Sequence, residues 1–333
     1  MRVLVTGGAG FIGSHFVRRA AERGDEVVVL DRLTYSGNRA NLEGVPHEFH
    51  HGDIADPAVV EAAGAGCEAV VNFAAETHVD RSILDPREFI HTEVLGTQTL
   101  LEWARETGAR YVQVSTDEVY GDLEAGGRSR EIDPLRPSSP YAAAKAAGDL
   151  QVLAYARTYG VRASITRGAN TYGSHQYPEK LIPLFVTNAI DDLPLPMYGD
   201  GLQRRDWLYV SDHAGAIDHV LRFGATGETY NVPGSAELTN RDVVTALLDR
   251  LGKPWSLVRS VPDRPGHDRR YALDGSKLAA LGWRNRTPFA DGLASTVDWF
   301  VANEPWWRAA KSGDWDAYYE RQYGARLAAS TEA

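Results

Sequence analysis

The sequence predicts an α/β fold, a doubly wound parallel sheet with a smaller and less regular second part, on three observations. Near-continuous Val/Leu runs alternate with helical stretches through the first half of the chain. A glycine-rich turn, Gly7-Gly8-Ala9-Gly10-Phe11-Ile12-Gly13, follows the first run and opens the first helix. The second half gives up this alternation for punctuation at Pro178, Pro183, Pro194, Pro196, Gly199, Gly201, Pro233, Pro262 and Pro265. Unbroken apolar runs are what strands look like when helices cover both faces of a parallel sheet.

Taken in order, the expected strands are Val3–Thr6, Glu26–Leu30, Ala69–Phe73, Tyr111–Ser115 and Arg162–Thr166. The expected helices include Phe11–Arg23, Thr92–Thr107 and Tyr141–Tyr159, the last with Pro140 as a start signal. A boundary falls near Thr166–Asn170. Trp207–Val210 and Tyr230–Val232 also read as strands, so the two parts, 1–168 and 169–333, are expected to interleave, with strands near 207–232 returning to the first. Leu327 to Ala333 reads as a frayed tail.

The bulk properties narrow the class. A chain of 333 residues, 43% hydrophobic, can bury a large core and form two lobes. A net charge of −10 argues against a nucleic-acid binder, while leaving room for a local basic cluster around a small anion. No apolar run is long enough to span a membrane. The first residues enter a strand instead of a signal peptide. Cys67 is the single cysteine, so no intrachain disulfide forms and a reducing cytoplasm is expected.

Gly8, Gly10 and Gly13 satisfy G-x-G-x-x-G, and Gly7, Gly10 and Gly13 satisfy a G-x-x-G-x-x-G variant. Glycines let the backbone turn tightly and approach a pyrophosphate, which rests on the helix N-terminus. The strand before and helix after supply the context that a lone glycine motif lacks. Asp31 lies 18 residues past Gly13, near the ~20 expected of an acid that takes the ribose hydroxyls. An Asp there repels a 2′-phosphate and favours NAD over NADP; Arg32 beside it pulls the other way. Asp53-Ile54 fits an adenine contact and fits an ordinary loop acid equally well. The first part is thus expected to be a Rossmann-type, NAD-binding unit.

Tyr141 and Lys145 are i and i+4 on one helix face. A nearby ammonium lowers a phenol's pKa, and a phenolate takes a hydroxyl proton while hydride leaves the same carbon. Tyr-x-x-x-Lys alone also describes many solvated surface pairs. Asp117 and Glu118 follow the strand Tyr111–Ser115. They suit a polar first turn capped by Thr116. They also lie beyond the carboxyl end of a parallel strand, where ligands sit. Neighbouring carboxyls split their pKa values, which yields an acid and a base from one dipeptide.

Longer strings then accumulate: TGGAGFIGSH at 6–15, LDRLTYSGN at 30–38, AAETHVDRSI at 74–83, STDEVYGD at 115–122, PYAAAK at 140–145, PEKLIPLF at 178–185, RRDWLYVSDHA at 204–214 and DRPGHDRRYA at 263–272. With them the chain, from Met1 to about Tyr323, resembles the extended short-chain dehydrogenase/reductase superfamily and, within it, the dTDP-glucose 4,6-dehydratases. The resemblance implies a smaller, interleaved C-terminal domain for the sugar nucleotide. It places NAD against Gly7, Gly10, Phe11, Ile12, Gly13, Asp31, Arg32, Leu33, Thr34, Asp53, Ile54, Phe73, Ala74, Ala75, Thr92, Tyr141 and Lys145. It places the substrate against Thr77, Thr116, Asn170, Lys180, Leu181, Pro196, Tyr198, Arg205, Asn240, Arg264 and His267.

It also implies the chemistry. Tyr141, supported by Lys145 and Thr116, takes the sugar 4-hydroxyl proton as hydride leaves carbon 4. Glu118 removes the carbon-5 proton while protonated Asp117 donates to the departing 6-hydroxyl. Hydride then returns to carbon 6. Lys180, Arg205 and Arg264 suit a pyrophosphate, with Arg offering bidentate geometry; without the matching string, Arg264, Arg269 and Arg270 read as a solvated basic run. His78 and Arg81 are expected to be structural, and Trp306, Trp307 and Trp315 to be packing. No metal is implied. A homodimer through Thr92–Thr107 and Tyr141–Tyr159 is.

Two departures from the family pattern stand out. Asn170-Thr171-Tyr172-Gly173-Ser174 replaces Asn-Asn-Tyr-Gly-Pro, and Ala142, Ala143 and Ala144 fill a stretch where Ser is common. They bear on the nicotinamide end and on fine substrate preference. The alternatives are an epimerase or decarboxylase on the same scaffold, which commonly has a hydroxyl residue where Asp117 stands, and an NAD-sensing regulator without chemistry.

Overall fold

The computed structural model describes residues 1–124 and 126–330. The first half contributes strands β1 (Arg2–Thr6), β2 (Glu26–Asp31), β3 (Glu48–His51), β4 (Ala69–Asn72), β5 (Arg110–Thr116) and β6 (Ala163–Gly168). The second half contributes β7 (Asn170–Tyr172), β8 (Leu195–Tyr198), β9 (Arg204–Tyr209), β10 (Thr229–Val232), β11 (Ala236–Thr239) and β12 (Val258–Val261). A seven-stranded sheet runs in the order β10-β6-β5-β4-β1-β2-β3, with every pairing parallel. The chain winds outward from β1 in both directions, so a crevice opens at the carboxyl ends of β1 and β4.

The predicted strands all form, with ends shifted by one to three residues. β3 is not among the runs that apolar content picks out: its Glu-Phe-His-His sequence sits at a sheet edge and carries one large apolar side chain. Tyr230–Val232 becomes β10 and pairs with β6 in the central sheet. Trp207 belongs to β9, which pairs instead with β7 and β11 in a separate three-stranded sheet. The register places Asn170 opposite Trp207.

Two helices matter for the site. Pro140–Tyr159 starts where the Ser139 hydroxyl accepts from the Ala142 N–H, and stops at Gly160 in the left-handed region. The expected helix Thr92–Thr107 is interrupted: a π-helical turn, His91–Gly96, precedes the regular helix Thr97–Thr107. The C-terminal tryptophans are packing, as expected. Trp307 and Trp315 are buried in the core of the second part, and Trp306 donates from Nε1 to Asn41 Oδ1 at 2.9 Å, tying that part to the loop after β2. Leu327 to Ser330 lie within a helical segment, Ala325–Ser330, in place of the expected fray; Thr331 to Ala333 fall outside the described residues.

Candidate active site

The crevice is a cleft of about 310 Å³ that runs from the glycine-rich turn to Asn170 and Lys180. At its floor the glycines are sterically required. Gly7 has φ +66°, and a Cβ there would stand 2.6 Å from the Ala74 nitrogen; one at Gly13 would stand 2.3 Å from the Gly7 oxygen. Asp31 holds this floor. It accepts from the Ala9 N–H (2.9 Å) on Oδ2 and from the Leu33 N–H (2.8 Å) on Oδ1. Of the cofactor positions inferred from sequence, all but one line this cleft. Leu33 is the exception: its neighbours Arg32 and Thr34 line the cleft, whereas its backbone has φ 54° and its side chain packs on the core. Arg32 is committed to Asp53 (3.3 Å) and Glu88 (3.2 Å), so its charge is already engaged and offers less to a 2′-phosphate. Asp53 also meets His91 Nε2 at 2.9 Å.

Beside the cleft lies a second cavity of about 150 Å³. Nine of the inferred substrate positions line it: Asn170, Lys180, Leu181, Pro196, Tyr198, Arg205, Asn240, Arg264 and His267. Thr77 and Thr116 line the larger cleft. Glu118, Asn170, Lys180 and Leu181 are shared by both spaces, so this is where a dinucleotide and a second ligand would meet.

At that junction, Thr116 caps a short 3₁₀ turn, Asp117–Tyr120, accepting from the Glu118 N–H at 3.3 Å. The capping reading of Thr116-Asp117-Glu118 is realised, and the same three residues line the cleft. Asp117 is buried; its Oδ1 accepts from Thr116 Oγ1 at 3.2 Å and its Oδ2 has no partner. Burial, then Glu118 and Asp206, push its pKa well above the usual carboxylate range, against a pull from Arg205. Burial raises Glu118 too, but Arg264, Lys180 and Arg205 all oppose it. Both carboxyls are thus pushed up by burial, but Glu118 faces three opposing cations where Asp117 faces one.

Tyr141 departs from expectation. Burial, then Glu118 and Glu93, push the phenol well above its ordinary value; Thr116, by hydrogen bonding, pulls it back. Lys145 does not reach toward a lowered phenol. Its Nζ donates to the Val114 carbonyl (2.9 Å) and lies 3.2 Å from Glu93 Oε2. Ala142 and Ala144 pack with Val79, Phe89 and Tyr141 in one small cluster. Thr171 donates to the Ala169 carbonyl (3.1 Å) and meets His213 Nδ1 (2.8 Å).

The cations of the second cavity differ in how they are paired. Arg205 is buried, stacks over Tyr271 at 4.6 Å, and donates to the carbonyls of Asp268 (2.8 Å) and Arg204 (2.9 Å), contacts that leave its charge uncompensated. Arg264 meets Asp80 at 3.1 Å, with its Nε unpartnered. Arg269 and Arg270 turn away to Asp200 (2.8 Å) and Glu237 (2.7 Å); the basic run is thus a site residue, a solvated pair and a largely buried pair.

His78 and Arg81 are structural: His78 Nδ1 meets the Tyr318 hydroxyl at 3.1 Å, and Arg81 lies between Tyr35 and Tyr318 while bonding Glu179 at 2.9 Å. Asp80, Glu179 and Glu93 were missed by sequence reasoning. Asp80 holds Tyr198 (2.9 Å), Gln322 (2.8 Å) and Arg264. Glu179 adjoins Lys180 in a string already singled out. Glu93 shares the buried helix stripe with Thr97 and Leu100, and an acid on such a stripe is a readable signal. Among the described residues, no group of three or more His, Cys, Asp or Glu is placed to hold a metal ion.

A profile of the NAD dependent epimerase/dehydratase family matches residues 3–233. The chain is 51% identical over 326 residues to a dTDP-glucose 4,6-dehydratase of Streptomyces niveus, spanning 94% of this chain and 97% of the relative. The solved structure of DesIV, a dTDP-glucose 4,6-dehydratase from Streptomyces venezuelae with NAD and TYD bound, superposes with TM-score 0.91 at 53% identity, over 93% of this chain and all of that one. A UDP-glucose 4-epimerase of Thermus thermophilus in complex with NAD superposes with TM-score 0.85 at 38% identity, over 91% of this chain and all of that one.

Proposed function

The chain belongs to the NAD dependent epimerase/dehydratase family, and within it we propose a hydro-lyase that converts dTDP-glucose to the 4-keto-6-deoxy sugar nucleotide. Relatives named for that reaction share half the sequence over nearly the whole chain. The observation that carries the reading is Asp117: a carboxyl buried at the junction of the two cavities, with one oxygen unpartnered and with burial pushing it toward its protonated form. An epimerase has no leaving hydroxyl to protonate and no use for it.

The floor at Gly7 and Gly13, with Asp31 beside it, fits a dinucleotide. NAD held there would supply the acceptor for the carbon-4 hydride and the donor for its return to carbon 6. The residues move protons. Tyr141 takes the 4-hydroxyl proton, with Thr116 hydrogen-bonded to the phenol. The resulting ketone acidifies carbon 5, whose proton passes to Glu118. The 6-hydroxyl leaves as water with the proton of Asp117. Glu118 then returns its proton to carbon 5. The proton left on Tyr141 equals the one Asp117 gave up, so the sum is loss of one water. Lys180, Arg205 and Arg264 hold the diphosphate, and Tyr198 and Pro196 flank the base.

We further propose a homodimer through Thr92–Thr107 and Tyr141–Tyr159: Leu95 and Leu150 are large apolar side chains left exposed on them, and Ile90 lies exposed just before the first. Among the described residues no helix is long and apolar enough to cross a membrane; the single, buried, unbridged Cys67 supports the cytoplasm as its location.

The test is turnover of dTDP-glucose in deuterated water. A 4-keto-6-deoxy product carrying solvent deuterium at carbon 5 is expected. A 4-epimer with its 6-hydroxyl retained would overturn the assignment.

A further inference from the structure

We propose that Glu93 is a positioning residue for the Tyr141/Lys145 pair, its carboxylate anchoring the Lys145 ammonium and drawing off charge that would otherwise favour the Tyr141 phenolate. The inference rests on the dehydratase reading, in which Tyr141 is the base of the first step.

Glu93 lies in the π-helical turn His91–Gly96. Such turns are rare and recur at functional sites. The side chain is fully buried, and Oε2 is 3.2 Å from Lys145 Nζ. Neither of its oxygens accepts a well-formed hydrogen bond, so the ion contact is what holds it. From the other side Lys145 Nζ donates to the Val114 carbonyl at 2.9 Å. The ammonium is therefore fixed between a strand carbonyl and a carboxylate. Glu93 itself is not on the cleft wall, whereas its neighbour Thr92 is, so its action on a ligand runs through Lys145.

A buried carboxyl in contact with a lysine does more than hold it. The charged and titratable groups facing Glu93 are Lys145, Asp149 and Tyr141 from helix Pro140–Tyr159, Glu76 from the loop after β4, and Tyr111 from β5. Asp149 is neutralised by Arg167 of β6 at 2.8 Å. Lys145 is thus the cation in contact with Glu93 in this buried set. Burial pushes Glu93 up to about 7 against the pull of that lysine, which puts its ionisation in the neutral range. Once ionised, it raises the pKa of the Tyr141 phenol. A neutral side chain at position 93 leaves Lys145 fully available and makes the phenolate easier to form.

The experiment isolates the first step. NAD-loaded protein is mixed with dTDP-6-deoxyglucose, which has no 6-hydroxyl to lose, and the rate of bound NADH formation is followed against pH. Wild type is compared with Glu93→Gln, Glu93→Met and Glu93→Asp; Met gives a second neutral side chain of similar volume should Gln fail to fold. The acid limb of the profile should move toward lower pH by about one unit in the neutral variants, at the small end of what a nearby charge does, and return to its wild-type position in Glu93→Asp. Coincident midpoints, or a uniform fall in rate with the midpoint unmoved, would overturn the role of Glu93 while leaving the dehydratase reading intact. Absence of NADH in the wild type would overturn that reading and this inference together.

Discussion

Replacing Asp117 by Asn separates the two halves of the reaction. Asn keeps the shape of the side chain and an Oδ1 that accepts from Thr116, a bond now 3.2 Å long. Its amide occupies the place of Oδ2, which has no partner to lose. What disappears is a transferable proton. Loss of a positioned general acid costs roughly 10²–10⁴ in rate, which is about 3–5 kcal/mol of barrier. That penalty falls on elimination alone, because Asp117 takes no part in the carbon-4 oxidation. Rapid mixing of NAD-loaded D117N with dTDP-glucose should show bound NADH forming within a few-fold of the wild-type rate. The signal should then persist where wild type shows only a transient, and the 4-keto sugar with its 6-hydroxyl intact should be recoverable on quenching. Turnover of D117N within tenfold of wild type would refute the assignment of the acid, as would loss of NADH formation in parallel with loss of product.

Tyr141→Phe should abolish NADH formation from dTDP-glucose while leaving dTDP affinity, measured by calorimetry, near wild type; NADH formation at the wild-type rate would remove Tyr141 as the base. Arg205→Met deletes a buried cation bonded to carbonyls and should raise KM by roughly 10- to 150-fold, the worth of a charge-assisted bond at about 1.5–3 kcal/mol, without lowering the melting temperature. Asp117 also makes a stability prediction. Its folded-state pKa is raised, so the stability linked to it is fully present below the unfolded value of about 4 and is lost as pH rises toward the folded value. D117N should therefore melt higher than wild type at neutral pH, with the advantage vanishing below about pH 4; a difference independent of pH would show that Asp117 is ionised in the folded protein.

The parts of the site legible in sequence are those fixed by local chemistry. A glycine turn after a strand, an acid at the next strand's end, a Tyr and Lys one helical turn apart and a Thr-capped acidic turn each declare their placement within a few residues, and the cleft gathers them as the strand order dictates. The resemblance carried the second cavity in the same way, through short strings that reach it from 178, 204 and 263. What stayed hidden depends on pairings across the chain. Arg264 and Arg269 look alike in sequence, and Asp80, far away at the start of a short helix, decides which of them stays at the site. The resemblance places Leu33 against the cofactor, but it does not tell that the residue's N–H is bonded to Asp31 and its side chain packed on the core. Helical periodicity does not reveal the π-helical turn at His91–Gly96, and so left unseen that Glu93 faces Lys145.

Burial by itself does not assign roles at the junction, because it pushes Asp117, Glu118 and Tyr141 all toward their neutral forms. Their neighbours separate them. Three cations from the diphosphate side oppose the rise at Glu118, so it is the carboxyl best able to stand ionised and accept a proton from carbon. Asp117 has one opposing cation and two acids beside it, so its shift toward the protonated form goes less opposed, as the proposed acid requires. Tyr141 has Thr116 in its favour and three acids, Glu118, Glu93 and Asp117, against it, so its neighbours add to the effect of burial instead of opposing it. The cationic cavity proposed for the diphosphate is thus also what sets the two adjacent carboxyls apart. An epimerase built on the same strands needs the first property without the second, and Asp117 is where the two demands part.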